Sequence, residues 1–345
     1  MIRFIIISII LLILNNCSGK DKTEIIKTEI ERDEPRGKDL SQLFKKKKKV
    51  KQNSEKKLKE LNPNLKVKIE SKLFKNNDYA NLTNNLRRID FDSNLESKNR
   101  YKFSKIKNFN KSDPSVIYDN DGIFFFKSKG TIIKLDKKSK LIWKKNYYSK
   151  SEKKLDPLLF FATDGKVLIV ADNISNYYAI NSTSGELLWK ISSSSPFNSQ
   201  IKIYNDRFYI TDLTNTLRCF SIKNGKEIWN YKTDNSFIKS QKKLSIAIKD
   251  NMLFFNNSIG DISALNIDDG RLLWQRPTQN NLIAENSFLF KNSNLVISKD
   301  SILFSNNKNE FYSLNINSGN LNWKQKINSD IDPIIINDII FTIST

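Results

Sequence analysis

Residues 184–189 read Ser-Gly-Glu-Leu-Leu-Trp, and close copies of this stretch recur along the C-terminal two thirds of the chain. Intact copies stand at 224–229 (Asn-Gly-Lys-Glu-Ile-Trp), 269–274 (Asp-Gly-Arg-Leu-Leu-Trp) and 318–323 (Ser-Gly-Asn-Leu-Asn-Trp), and a degraded copy stands at 139–143 (Ser-Lys-Leu-Ile-Trp). The glycine-to-tryptophan spacing is always four residues, whereas successive tryptophans are 46, 40, 45 and 49 residues apart. A fixed short spacing inside a looser period indicates one turn-and-strand unit repeated with variable loops.

Strand-like segments precede each copy. In the second repeat a turn at Asp164-Gly165 is followed by an apolar run at 166–170 and by Tyr-Tyr-Ala-Ile-Asn at 177–181. Short runs rich in β-branched and aromatic residues, separated by Asn, Asp and Gly, predict strands joined by hairpins. About four strands fit into each repeat. The sequence therefore predicts an all-β fold, a β-propeller of four-stranded antiparallel blades with five complete repeats and part of a sixth.

The repeated glycines and tryptophans are predicted to be structural. A tryptophan on the outermost strand can cover the contact between neighbouring blades, and burying about 150–250 Å² contributes on the order of 4–6 kcal/mol before entropy. Glycine supplies the left-handed backbone that the hairpin loop needs. The residues predicted to have this role are Trp143, Gly185, Trp189, Gly225, Trp229, Gly270, Trp274, Gly319 and Trp323.

The repeat also carries a resemblance. The pattern Ala-x-Asn-x-x-(Ser/Asp)-Gly-x-x-x-Trp, at 179–189 and 264–274, resembles the tryptophan-docking repeat of the pyrroloquinoline-quinone-like propellers. Within that superfamily, residues 101–345 resemble the BamB-like lipoproteins of outer-membrane β-barrel assembly. The resemblance implies eight blades. Because the sixth repeat stops at Thr345, we expect a C-terminally truncated chain or an incomplete ring.

The N-terminus resembles a lipoprotein signal. Residues 1–16 combine an early arginine with an eleven-residue apolar run at 4–14, which is too short to span a bilayer. The run ends just before Cys17, as in a bacterial lipobox, so Cys17 is predicted to be lipidated. The resemblance implies an anchor on the periplasmic face of the outer membrane. An uncleaved anchor, or an ordinary signal peptide with an incidental cysteine, remains the alternative.

Residues 17–100 are predicted to be a basic, largely disordered tether. From Ser18 to Ser112 there are 27 Lys and Arg against 14 Asp and Glu, which contributes +13 of the formal +21. Such a segment either attracts anionic lipid or an acidic partner, or is a solvated spacer, and we favour the spacer. A pI near 9.7 would ordinarily suggest nucleic-acid binding, but an exported chain does not meet nucleic acid. The alternating stretch at 101–106 is predicted to complete the last blade.

Little in the sequence favours catalysis. There is no histidine, the commonest general base and transition-metal ligand. Cys219 stands in the column of Ala179 and Ala264, as a small buried strand residue would. We therefore predict a non-enzymatic protein without catalytic residues, metal, cofactor or small-molecule substrate. A quinone-dependent dehydrogenase of the same fold, which needs calcium ligands and often has adjacent cysteines, or a ligand-binding periplasmic propeller, is the alternative.

The resemblance implies a scaffold that binds the barrel-assembly machinery, with its BamA-like periplasmic domains, through propeller loops. Two blade-to-blade connections, 191–200 and 275–294, place apolar residues among Ser and Asn. Loops on a rigid scaffold commonly carry recognition. The predicted partner-binding residues are Pro196, Phe197, Leu282 and Ile283.

Overall fold

The computed structural model of this chain describes residues 116–234, 243–278, 292–329, 331–336 and 339–344. The predicted signal peptide, Cys17, the tether and the strand at 101–106 lie outside the described residues. Leu282 and Ile283 lie outside them as well. The predictions made for these segments therefore stay predictions.

The described residues form five four-stranded antiparallel sheets and one two-stranded sheet, and within each sheet the strands follow chain order. Blade 1 holds β1 (Ile117–Tyr118), β2 (Gly122–Lys127), β3 (Thr131–Asp136) and β4 (Leu141–Lys145); blade 2 holds β5 (Leu159–Thr163), β6 (Val167–Asp172), β7 (Asn176–Asn181) and β8 (Leu187–Ser192); blade 3 holds β9 (Lys202–Tyr204), β10 (Arg207–Thr211), β11 (Thr216–Ser221) and β12 (Glu227–Lys232). Blade 4 holds β13 (Ile246–Lys249), β14 (Met252–Asn256), β15 (Ile262–Asn266) and β16 (Leu272–Arg276); blade 5 holds β17 (Val296–Ser298), β18 (Ser301–Asn306), β19 (Glu310–Asn315) and β20 (Leu321–Gln325); β21 (Ile334–Ile336) and β22 (Ile339–Phe341) begin a sixth. The predicted propeller repeat is confirmed.

One short helix interrupts the strands of the described part, apart from a single 3₁₀ turn at Ser128–Gly130. Helix α1 (Lys150–Lys154) lies in the connection from blade 1 to blade 2. Ser149 caps it by accepting from the Glu152 backbone, and the Glu152 carboxylate accepts from the Ser149 backbone in return. This reciprocal capping satisfies donors that a five-residue helix would otherwise leave free.

The hydrophobic core lies between consecutive blades. Each of the five clusters of buried side chains draws from two neighbouring sheets. The first joins Phe124 and Phe126 of blade 1 to Phe161 and Tyr178 of blade 2, and the last joins Phe311 of blade 5 to Ile335 of β21. Each blade can therefore bury its apolar faces only by stacking on a neighbour, as expected for a propeller. We call each such contact a seam.

Four of the five tryptophans, Trp143, Trp189, Trp229 and Trp274, cross a seam to reach the glycine of the next blade. A Cβ atom built on Gly185 would lie 2.7 Å from the Trp143 ring, and one built on Gly225 would lie 2.7 Å from Trp189. Trp229 and Trp274 approach Gly270 and Gly319 in the same way. These glycines have φ between +68° and +73°, so both the backbone and the stacked ring require glycine. The predicted location of the tryptophan across the seam is confirmed.

The indole N–H adds a hydrogen bond to the stacking. Trp143 Nε1 donates to the Ser182 carbonyl at 3.0 Å, Trp189 Nε1 to the Ile222 carbonyl at 2.8 Å, and Trp274 Nε1 to the Ile316 carbonyl at 3.0 Å. Each acceptor stands three residues before the stacked glycine. Trp229 Nε1 is buried without a partner among the described residues. The seam between blades 3 and 4 therefore has the ring contact without this hydrogen bond.

A column of residues on the third strands stands opposite the tryptophans. Ala179, Cys219, Ala264 and Ser313 fill it in blades 2 to 5, and a register shift follows each of them. The predicted burial of Cys219 in this column is confirmed, since its side chain is fully buried. The small size of these four residues leaves room beside the indole.

Blade 1 departs from this pattern. Lys134 occupies the column and is buried, with its Nζ 3.2 Å from Asp119 Oδ2 and 3.1 Å from the Ser182 carbonyl. Ser139 takes the place of the glycine with φ of 68°. The first repeat therefore keeps the left-handed turn without a glycine.

Candidate functional site

Two sets of loops lie together at one end of the blades. The blade-to-blade connections pack on the hairpins between second and third strands: Phe197 N donates to the Asp172 carbonyl at 3.1 Å, and Leu213 N to the Pro196 carbonyl at 2.8 Å. Ser329 N donates to the Asn306 carbonyl at 3.2 Å in the same way. We call the two sets together the connection end. Its hairpins are 172–176, 212–216, 256–262 and 306–310, and its connections are the described parts of 146–158, 193–201, 233–245, 277–295 and 326–333. The opposite end, with the hairpins of Gly185, Gly225, Gly270 and Gly319, is the glycine end.

The hairpins of the connection end are shaped by Asp or Asn side chains. Asp172 Oδ1 accepts from Ile174 N at 2.9 Å and from Asn176 N at 2.7 Å. Equivalent bonds are made by Asp212, Asn257 and Asn306 in the next three blades. Because an amide and a carboxylate serve equally, the group acts as a hydrogen-bond acceptor that fixes the turn. These carboxylates are therefore structural.

A buried tyrosine–aspartate network lies under the connection end of blade 2. Tyr148 Oη donates to Asp172 Oδ2 at 2.6 Å, and Tyr178 Oη donates to Tyr148 Oη at 3.3 Å. Burial raises the pKa of Asp172, while its four hydrogen-bond donors oppose the rise. Burial likewise raises the pKa of both tyrosines. The phenol protons thus stay in place at neutral pH and tie the connection to the blade.

Above this network an ion pair holds α1. Lys190 Nζ lies 2.9 Å from Glu152 Oε1 and 3.1 Å from the Tyr147 carbonyl, and it sits 4.9 Å from the centre of the Tyr148 ring. Burial raises the pKa of Glu152, but hydrogen bonds from Ser149 and the Lys190 charge outweigh it and bring the pKa to about 2. Glu152 is therefore ionised under all physiological conditions. The helix is fastened to the outer strand of blade 2.

A chain of polar side chains links the entries of the innermost strands in blades 3 to 6. Gln200 Nε2 donates to Asn294 Oδ1 at 2.7 Å, and its Oε1 accepts from Ile246 N at 3.3 Å. Asn294 donates from both its backbone and its side chain to Asp332, at 2.7 and 2.6 Å. These bonds join residues up to 94 positions apart. They tie the entries of the innermost strands together across blades 3 to 6.

The predicted partner-binding residues fare differently. Phe197 is fully buried: it packs in the seam between blades 2 and 3 with its ring 5.7 Å from that of Tyr177. The prediction of an exposed anchor at Phe197 is wrong, because the connection folds back onto the Asp172 hairpin and points the ring inward. Pro196 is half-buried, and its carbonyl bonds to Leu213. Leu282 and Ile283 lie outside the described residues, so the prediction made for them stays a prediction.

Two exposed apolar residues of the connection end were missed in the sequence. Leu155, at the C-terminus of α1, is 64% exposed, and Ile331 is 43% exposed. Leu155 stands alone in Lys-Lys-Leu-Asp-Pro, at 153–157. An isolated leucine between charged residues and a proline gives no strand or helix period. An apolar residue that belongs to no strand or helix pattern was the signal in the sequence that could have identified Leu155.

The described residues offer few groups for chemistry. Burial raises the pKa of the Cys219 thiol to about 12, so it stays protonated. In the described ranges, no three His, Cys, Asp or Glu side chains are grouped so that they could hold a metal ion. No helix there is long and apolar enough to cross a membrane.

Comparison with known proteins gives one family match. Residues 128–345 match a family model described as outer membrane protein assembly factor BamB. The match begins in the first blade and includes all four tryptophan–glycine seams. No curated protein sequence matches this chain.

Solved structures share the fold at low identity. The crystal structure of BamB from Moraxella catarrhalis aligns with a TM-score of 0.55 and 14% identity, over 66% of this chain and 68% of that chain. The computationally designed Ika8 protein aligns at 0.52 with 12% identity, over 65% of each chain. The quinohemoprotein alcohol dehydrogenase ADHIIG from Pseudomonas putida HK5 aligns at 0.50 with 14% identity, over 63% of this chain and only 42% of its own length. At these identities the likeness is one of fold alone.

Proposed function

The chain belongs to the family of the outer membrane protein assembly factor BamB, and from that premise we propose that it is a non-catalytic scaffold in the assembly of β-barrel outer-membrane proteins. The observation that carries the proposal is the extent of the family match, from residue 128 to residue 345. The arrangement of the side chains fits this role, because the carboxylates of the connection end are used to fix turns. The lipid anchor at Cys17 and a location on the periplasmic face of the outer membrane are part of the proposal.

The connection end is the proposed docking surface for the periplasmic domains of the assembly machinery. Its backbone is held by the Asp172-type turns and by the Gln200–Asn294–Asp332 chain, so little ordering entropy is lost on binding. Leu155 offers an exposed apolar side chain on this surface. An apolar anchor within a polar rim is the usual composition of a binding hot spot.

A pull-down of the assembly machinery tests the proposal. Leu155→Asp should lower recovery of the assembly machinery at least tenfold, because it places a hydrated charge where an apolar side chain would be buried against the partner. Leu188→Asp is the matched control, since this leucine is 52% exposed but lies beside the glycine end. The variant Ile283→Asp tests in parallel the predicted partner-binding role of Leu282 and Ile283. Full recovery with both Leu155→Asp and Ile283→Asp, in variants with unchanged melting, would place the interface elsewhere.

The structural likeness to a quinohemoprotein alcohol dehydrogenase keeps a second candidate function, quinone-dependent oxidation. The two functions differ in a simple observable. The full chain is mixed with pyrroloquinoline quinone and calcium, freed of unbound quinone, and examined by absorbance. A scaffold should retain none, whereas one quinone per chain would overturn the scaffold proposal.

A further inference from the structure

The outer strand of blade 1 differs from its counterparts in charge. The turn before β4 and β4 itself, residues 137–145, read Lys-Lys-Ser-Lys-Leu-Ile-Trp-Lys-Lys, with five lysines and no acidic residue. All five lysines are exposed, and none is ion-paired with a described residue. We call residues 137–145 the basic edge. The corresponding stretch of blade 4, residues 268–276, carries two aspartates against two arginines and is neutral.

The basic edge also exposes aliphatic side chains. Leu141 is 53% exposed and Ile142 is 43% exposed, although both flank a tryptophan that is buried in the seam. β4 is the outermost strand of its sheet and pairs only with β3 in the described part of the chain. Five residues of strand extend about 17 Å. The basic edge therefore exposes aliphatic and cationic side chains along its whole length.

We propose that the basic edge rests on the surface of an anionic phospholipid bilayer. Long lysine stems can lie along an apolar boundary while their ammonium groups reach the headgroups, and the two aliphatic side chains can enter the interface between them. Each lysine near an anionic surface strengthens binding about fivefold. The inference goes beyond the scaffold function and does not depend on it.

The composition favours lipid over an acidic protein. Protein interfaces are enriched in arginine and exposed aromatic residues and depleted in lysine. The basic edge has no arginine, and its single aromatic residue, Trp143, is buried against Gly185. Lysine and aliphatic residues without arginine match a fluid array of phosphate headgroups, which needs charge and no fixed geometry.

Vesicle binding of the full chain with Cys17→Ser, which removes the acyl attachment, tests the proposal. The edge variant carries Lys138→Gln, Lys140→Gln and Lys144→Gln. The control carries Lys223→Gln, Lys226→Gln and Lys232→Gln, three exposed lysines of blade 3 with the same change of net charge. On phosphatidylcholine vesicles containing phosphatidylglycerol, the edge variant should lose on the order of a hundredfold in partitioning and the control less than fivefold. Equal losses would overturn the proposal.

A fluorescent label gives a local readout that the basic N-terminal segment cannot imitate. An environment-sensitive dye is attached at Ile142→Cys or at the equivalent residue of blade 4, Leu273→Cys, while Cys219 stays buried. The emission should shift to the blue only at position 142 and only with anionic vesicles. A shift at both positions, at neither, or with soluble polyglutamate in place of vesicles would overturn the assignment to lipid.

Discussion

Glu152 shows how a single side chain stabilises a connection. It completes the capping box of α1, pairs with Lys190 of blade 2 and accepts from Asn176 of the neighbouring hairpin. The contacts join α1 to two strands of blade 2, β7 and β8, with which the helix shares no backbone ladder. A partly solvated carboxylate with this many donors is expected to contribute roughly 0.5–1 kcal/mol.

We expect Glu152→Gln to lower the free energy of unfolding in a pH-dependent way. The pKa of Glu152 is lowered from 4.5 to about 2 in the fold, so its contribution is present above about pH 4.5 and is lost as the pH falls toward 2. Urea titrations at pH 7 should separate wild type from variant, and the separation should shrink by pH 3. Glu186→Gln, at an exposed turn, is the control. A gap that stayed constant with pH would show that the carboxylate charge has no role.

At the scale of the element, the seam is the repeated unit of stability. One tryptophan, one left-handed glycine and one carbonyl recur with the same geometry at the blade 1–2, 2–3 and 4–5 seams. The tryptophan of the preceding blade requires glycine at this position, since any Cβ atom there would overlap the indole ring. The two residues therefore form one interaction although they belong to different sheets.

A double-mutant cycle tests this coupling. Gly225→Ala should cost about 2–4 kcal/mol, from the left-handed backbone and from a Cβ placed 2.7 Å from Trp189. Trp189→Ala should cost about 3–5 kcal/mol. In the double variant the clash with the ring is absent. In urea unfolding, the double variant should therefore lose at least 1 kcal/mol less stability than the sum of the two single losses. Simple additivity would mean that the glycine serves only its own turn.

At the scale of the whole molecule, the repeat was predictable and the loops were not. The glycine-to-tryptophan spacing specified the blades because each seam repeats the same local chemistry. Phe197 was misplaced because a connection has no period, and its inward direction depends on a backbone bond to Asp172 in another blade. Leu155 was missed for the same reason. Contacts between segments far apart in sequence, such as Gln200 with Asn294, leave no local pattern.

The proposed anchor predicts a change in location without a change in fold. Cys17→Ser should move the protein from the outer-membrane fraction to the soluble fraction of the cell envelope, because two or more acyl chains bind a bilayer far more strongly than a basic surface does. Its melting temperature should equal that of the wild type, since Cys17 precedes every described blade. Unchanged fractionation of the variant would rule out lipidation at this residue.

The direction of the seams has a consequence for how the chain is made. In the three seams with an indole hydrogen bond, the accepting carbonyl lies 33 to 42 residues after the tryptophan in the chain. A polypeptide that emerges N-terminus first, from a ribosome or a secretion channel, therefore completes its seams one after another. At any moment, only the most recently folded blade has a tryptophan that its neighbour does not yet cover. This order limits the hydrophobic surface that is exposed to other nascent chains.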